Sequence, residues 1–276
     1  MNPFPIDAYA YANRLRWAHP AEKMLFAAVV VTVCLISGSP LVCLLALLLA
    51  TLEVTVLAGI PLGAFWYFVR LPIGFIAIGV LTIAFTGVPE GGAGALLAFQ
   101  VGPWWVGVTA ASLTEALRVL SVSLACVATT LALALTTPMV DLTEQLRRWR
   151  VPVLFVELMT LVYRFIFVLL ETMQAMRIAQ EARLGYSSLR RWLRSAGMLA
   201  SNLYLRANVR ATNLFTALSA RGYTGDLTVL QARPAWSARN LALIAGSGAL
   251  LLAVALGVRL AWLPAGLPAG LTGGAS

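Results

Sequence analysis

Apolar residues come in long runs with little polar punctuation. Residues 21–37 and 41–58 are two such runs, parted by the short stretch "SGSP". They predict two short membrane spans joined by a tight turn at Ser39-Pro40. Residues 62–87 form a third candidate span, with Arg70 and Pro72 inside it. Residues 88–103, "VPEGGAGALLAFQVGP", contain no Lys or Arg and read as a loop. Residues 104–136 are long enough for a fourth span that holds Glu115 and Arg118, and 241–262 for a last one. The tail "LPAGLPAGLTGGAS" is uncharged and reads as disordered.

The pattern changes between the fourth span and the last. In "TTPMVDLTEQLRRWR", Met139, Leu142, Leu146 and Trp149 follow a helical period and form one apolar stripe. Thr137 is placed to cap this helix and Pro138 to open it. Asp141 and Glu144 come early and the arginines late, which complements the helix dipole. These features predict a short amphipathic helix lying in the interface plane. Residues 153–183 are apolar enough to span a bilayer, yet Glu157, Arg164 and Glu171 recur every seventh residue along one helix face. A charge on a lipid-exposed midplane costs about 2.5–3.5 kcal/mol. A long helix against the cytoplasmic face avoids that cost. Residues 188–222 continue with another helix, whose ridge Leu203, Ala207, Ala211, Leu214 and Leu218 carries small residues where a second helix crosses.

Composition agrees with a polytopic membrane protein. Charged residues make up 11% of the 276-residue chain, against roughly 25% in soluble domains. The net charge of +9 is local: residues 144–240 hold fourteen arginines and five acids, and the rest is balanced. Arg14, Arg16 and Lys23 place the N-terminus in the cytoplasm by the positive-inside rule. Four spans then return the chain to the cytoplasm where the arginines begin. Arg147, Arg148 and Arg150 precede residues 153–183, and Arg177, Arg183, Arg190, Arg191 and Arg194 follow. A single crossing there would carry one cluster outside. The expectation is therefore an all-α polytopic integral membrane protein with about five transmembrane helices. To these is added a cytoplasmic-face domain of one short amphipathic and two long crossing helices. Its segments are 1–136 (about four spans), 137–236 (cytoplasmic helices), 237–262 (final span) and 263–276 (tail). The N-terminus, with Asp7 ahead of the basic residues, does not read as a signal peptide.

Two phrases stand out, "EARLGYSS" at 181–188 and "ALSARGYTGD" at 217–226. In each, an Arg ends a predicted helix and a Gly follows, as expected of a residue that closes a helix in the left-handed conformation. The likeness continues past the helix end: Tyr186 and Tyr223 each follow the Gly, and Ser187 and Thr224 follow the Tyr. Two long helices ending in one chemistry suggest two plugs for two similar sockets, and the planar guanidinium suits such a contact.

"ALSARGYTGD" resembles the Ala-Arg-Gly signature of the transmembrane coupling (T) component of energy-coupling factor transporters. The stretch from "TTPMVDLTEQLRRWRVP" through "YRFIFVLLETMQAMRIAQEARLGYSSLRRWLRSAGMLASNLYLRA" is similar to the cobalt branch of that family, CbiQ, over about residues 136–226. The resemblance implies two long coupling helices that cross beneath the membrane and dock onto a pair of ATPase subunits. It implies that Ala220, Arg221 and Gly222 make one docking contact. Ala182, Arg183 and Gly185 make the other, with Leu184 inserted between Arg and Gly. It further implies an ATP-driven uptake system in the cell (inner) membrane. There a separate substrate-binding membrane subunit, with a possible small auxiliary one, selects cobalt(II), and the ATPases carry out hydrolysis. Nickel or another micronutrient is the alternative substrate, since a T component does not read the substrate.

Other classes fit less well. There is no GxxxxGK[ST] phosphate loop, and "EGGAGA" lacks the Lys. One His, no HExxH and no CxxC leave little for metal or nucleophilic catalysis, so neither an enzyme nor a cofactor is expected. Cys34, Cys43 and Cys126 lie in apolar runs as core or lipid-facing residues, and His19 beside Pro20 reads as interfacial. A self-contained channel or carrier would draw on Arg70, Glu115 and Arg118, but snorkelling and a helix-internal Glu115–Arg118 pair account for these. The arginine excess matches anionic lipid headgroups better than nucleic acid, for which no stacking platform is present.

Overall fold

The computed structural model describes residues 5–87, 95–101, 104–223 and 236–262. The chain divides into two compact units, one holding the helices within 139–233 and the other the remaining described elements.

The larger unit contains α1 (Pro5–Ala12), α2 (Pro20–Ser37), α3 (Pro40–Leu52), α4 (Leu62–Ala84), α5 (Ala110–Thr136) and α9 (Ala238–Trp262). A single π-type turn, Glu53–Leu57, extends α3. Prolines open α2 and α3, where a missing N–H costs nothing. Gly38 closes α2 with φ +58°, and the Arg118 guanidinium lies where a Cβ would be, at 2.5 Å. The turn before α3 therefore favours glycine. Arg118 also pairs with Glu115 at 3.5 Å, with both side chains about half exposed, so the pair is helix-internal as anticipated.

Helix α5 is the shared wall of the core. Ala125, Ala128 and Ala132 on α5 and Ala46 and Ala50 on α3 are all fully buried. Residues this small let helices approach closely where no water drives them together. One cluster gathers Val30, Val33, Cys34, Val42, Cys43, Ala125 and Leu251; the other gathers Val54, Phe65, Val69, Ala128, Ala132 and Leu135. The cysteines are core residues, with Cys34 and Cys43 buried and Cys126 partly so.

Two expectations are corrected. Residues 95–101 are not loop: Ala95–Val101 (β2) pairs antiparallel with Trp104–Thr109 (β3), and β3 pairs with Thr86–Gly87 (β1). The fourth apolar run is therefore helical only from Ala110, because β-branched and aromatic residues favour the strand. The Thr109–Ser112 capping box then starts the helix, with two reciprocal bonds of 3.0 Å. Residues 88–94 and 102–103, and the tail 263–276, lie outside the described residues. Second, Thr137 does not cap the next helix. Its N–H closes α5 by donating to Leu133 O, and its buried hydroxyl has no hydrogen-bond partner. His19 is the buried N-cap of α2. Its Nδ1 accepts from the Ala21 N–H at 3.2 Å, and its ring stacks on Trp236 at 4.4 Å.

The end of α5 is held by residues from the far N-terminus. Lys23 Nζ donates to Thr136 O at 2.8 Å, and Asn13 Nδ2 lies 3.3 Å from both Leu135 O and Thr136 O. These donors satisfy carbonyls that a helix end leaves open. Lys23→Met should cost about 1.5–3 kcal/mol, the range for a hydrogen bond to a charged group. A thermal-unfolding comparison in detergent checks this, with Lys23→Arg expected to lie closer to the parent.

The smaller unit holds α6 (Met139–Arg148), α7 (Val153–Ala182) and α8 (Leu189–Ala220). Among the described residues, six helices are long and apolar enough to cross a membrane: α2, α3 with its π-turn, α4, α5, α7 and α9. Helix α7 meets that test by length and composition, as its sequence suggested.

Candidate docking site at the helix ends

Helices α7 and α8 form an antiparallel pair that is tied at both ends. At one end, Tyr186 O–H donates to Gln180 Oε1 at 2.6 Å, and Gln180 Nε2 donates to Ser195 O at 3.1 Å. Ser195 O–H donates to Gly185 O at 2.9 Å. At the other end, Tyr223 O–H donates to Glu157 Oε1 at 2.5 Å. Between the ties the helices leave a groove of about 520 Å³ lined by Leu169, Thr172, Leu205, Arg206, Val209, Arg210 and Asn213. The ridge predicted on α8 is half-buried at Leu203, Ala207, Leu214 and Leu218, and exposed at Ala211.

The two signature arginines occupy equivalent stations. Arg221 is the C-cap of α8 (φ −93°, ψ 10°) and Arg183 the C-cap of α7 (φ −97°, ψ 17°). After Arg221, Gly222 is left-handed (φ +75°), its N–H donates to Ser219 O, and the Tyr223 N–H donates to Leu218 O. After Arg183, Leu184 is left-handed (φ +55°), its N–H donates to Glu181 O, and the Gly185 N–H donates to Gln180 O. Both ends are Schellman closures.

The residue that matches Gly222 is therefore Leu184, and Gly185 does not supply the left-handed turn. Leu184 bears the cost of about 1–2 kcal/mol that a side chain pays for this conformation. Gly185 is needed for a different reason. A Cβ on it would lie 2.7 Å from Ser195 Oγ and 2.9 Å from the backbone oxygen of Gln180. Ala182-Arg183-Leu184 thus sits on α7 as Ala220-Arg221-Gly222 sits on α8. Arg183, Leu184, Arg221 and Gly222 are all exposed. The same closure ends α6, where Arg150 is left-handed (φ +62°) and the Val151 N–H donates to Leu146 O. The resemblance of Thr224 to Ser187 falls outside the described residues.

The ends of α7 and α8 point apart. Each helix is 30 or more residues long, about 45 Å at 1.5 Å per residue. The ties put the end of α8 beside the start of α7, so Arg183 and Arg221 stand at opposite ends of the pair. Glu157, Arg164 and Glu171 share a face by spacing but not an environment: Glu157 is buried by Tyr223, and the other two are exposed. Glu157 Oε2 has no hydrogen-bond partner. Tyr223→Phe should deprive the buried carboxylate of this donor and loosen that end by about 1–3 kcal/mol. Faster amide exchange in the first turns of α7, with the Arg183 end unchanged, is the expected signature. Sequence reading missed this tie, because nothing local links residues 66 positions apart.

Long apolar helices around a small-residue core define a polytopic all-α membrane protein with a separate helical unit ending in paired arginine caps. The chain belongs to the CbiQ cobalt transport protein family, whose model matches residues 14–230. It is 39% identical to the cobalt transport protein CbiQ of Rhodobacter capsulatus, over 90% of this chain and 96% of that one. It is 33% identical to the CbiQ of Salmonella typhimurium, over 80% of this chain and 97% of that one. A putative fused cobalt transport protein CbiMQ of Methanocorpusculum labreanum is 29% identical over 81% of this chain, which covers 37% of that longer protein.

Proposed function

We propose that this protein is the transmembrane coupling component of an ATP-driven energy-coupling factor uptake system for cobalt(II). The observation that carries the reading is the pair of equivalent arginine caps, Arg183 and Arg221, exposed at opposite ends of α7 and α8. Two identical sockets on a pair of ATPase subunits are the natural complement to two such plugs. Helices α6–α8 form the coupling domain at the cytoplasmic face, and movement of the ATPases passes through α7 and α8 to the spans. Cobalt as substrate is supported by the names of the relatives. A separate substrate-binding membrane subunit is supported by the fused relative, in which the region like this chain is joined to another cobalt-transport segment.

Selection of the metal falls to that partner. Among the described residues, no three His, Cys, Asp or Glu side chains gather as a cobalt site would need. Calorimetry on the purified chain should show neither cobalt nor ATP binding at micromolar concentrations. Vesicles carrying the chain, the ATPase pair and the substrate subunit should accumulate radioactive cobalt only when ATP and all the subunits are present. Micromolar binding of either ligand to the isolated chain, or uptake without it, would overturn the reading.

A further inference from the structure

We infer that the pocket between α2, α3 and α9 is a binding site for one aminophospholipid of the bilayer, with the lipid's ammonium group on Glu53. The pocket encloses about 340 Å³, within the range of small-molecule sites, roughly 300–1,000 Å³. Its walls are largely apolar, with Phe26, Leu52, Val56, Leu243 and Ile244 among them. The helices that supply these walls are three of those long and apolar enough to span a membrane.

The polar groups in this pocket are unequally satisfied. Glu22 accepts the Ser237 N–H at 2.8 Å and Asn240 Nδ2 at 2.9 Å. Lys23 donates to Thr136 O. Glu53 also lines the pocket, but its Oε2 is buried and has no hydrogen-bond partner. It sits on the π-type turn Glu53–Leu57, a local widening that is frequent at functional sites. Two carboxyl groups and one ammonium line the pocket, and Lys23 acts on Glu53 through its charge without bonding its Oε2. A buried carboxyl oxygen without a donor is costly, and an N–H donor carried on an apolar body would supply it.

A lipid meets these requirements better than a partner's helix. A helix with its side chains is about 10–12 Å across and cannot enter so small a space, whereas one acyl chain can. Leu15 reaches the pocket, whereas its neighbours Arg14, against Gly59, and Arg16, over Tyr11 and Trp17, do not line it. Glu53 and the apolar wall match, in turn, the ammonium and the chain of an ethanolamine-type phospholipid. A choline headgroup has no N–H and cannot bond to Glu53.

The test is native mass spectrometry of the full chain, released from nanodiscs of equimolar phosphatidylethanolamine and phosphatidylcholine with identical acyl chains. The parent should retain one ethanolamine lipid with about a ten-fold preference, equivalent to ~1.4 kcal/mol. Glu53→Gln should retain either lipid about equally. Leu243→Trp, which fills the pocket from α9, should retain neither. Equal retention of both lipids by the parent, or none, would overturn the site, and a partner-supplied lysine would then be the better occupant. An unchanged preference in Glu53→Gln, or undiminished retention in Leu243→Trp, would place the lipid elsewhere and overturn it equally.

Discussion

Replacing Arg183 and Arg221 together with alanine should abolish both co-purification of the ATPases and cobalt uptake, while the chain still inserts in the membrane. Each arginine lies just past the last turn of a long helix, at the negative end of the helix dipole, which favours its positive charge. Its planar fork is exposed and suits a partner's carboxylate or carbonyl groups. Interface arginines of this kind commonly cost about 2 kcal/mol or more when truncated, so either single variant should weaken association by about 30-fold. The two should be equal in effect, because the caps have nearly the same dihedral angles and the same pattern of hydrogen bonds. Arg221→Lys should recover only part of the loss, since an ammonium cannot reproduce the fork. Undiminished ATPase stoichiometry together with normal uptake in the double variant would refute the docking role. A defect confined to Arg221 would instead show that Leu184, in the place of Gly222, removes one of the two contacts.

The second large effect is all-or-none and concerns α7. If α7 lies at the cytoplasmic face, single cysteines at Trp149 and Leu189 are both shielded from an impermeant thiol reagent in intact cells. Both positions are exposed, at 56% and 75%, so shielding there reports the membrane rather than the fold. Position 145 would not serve, because Gln145 is buried. A cysteine at Thr272, in a background without the native three, should be labelled from outside. Labelling at 189 with none at 272 would make α7 a membrane span. The charge pattern favours the first outcome. Crossing would carry Arg147, Arg148 and Arg150 or the arginines from Arg177 to Arg194 to the outer surface, against the positive-inside rule. The exposed Arg164 and Glu171 would also face the hydrocarbon, at a cost of about 2.5–3.5 kcal/mol for each charge near its centre.

Much of this was legible in the sequence. Most of the apolar runs, the extent of α7 and α8 and the arginines that end them appear where their patterns put them, whereas α6 buries Thr143 and Gln145 rather than its apolar stripe. Helix boundaries are set by hydrogen bonds that reach only a few residues, so start signals such as Pro20, Pro40 and the Ser188 cap lie beside the turns they open. The hairpin of β2 and β3 was obscured because glycines and apolar residues in 88–103 read equally well as a loop.

What the sequence by itself determined was therefore local: which segments are helical, which are apolar enough for a bilayer, and which carry the arginine ends. Tertiary structure decided the rest. It assigned the left-handed turn to Leu184 and close packing against Ser195 to Gly185, although the sequence suggested that Gly185 makes the turn. It joined Tyr223 to Glu157, Lys23 and Asn13 to the end of α5, and Glu22 to Asn240. The physical reason is the range of each interaction. Periodicity and capping act within a turn or two of helix, whereas these bonds link residues 66 to 218 positions apart. No local spacing encodes such a partner until packing brings the two side chains together.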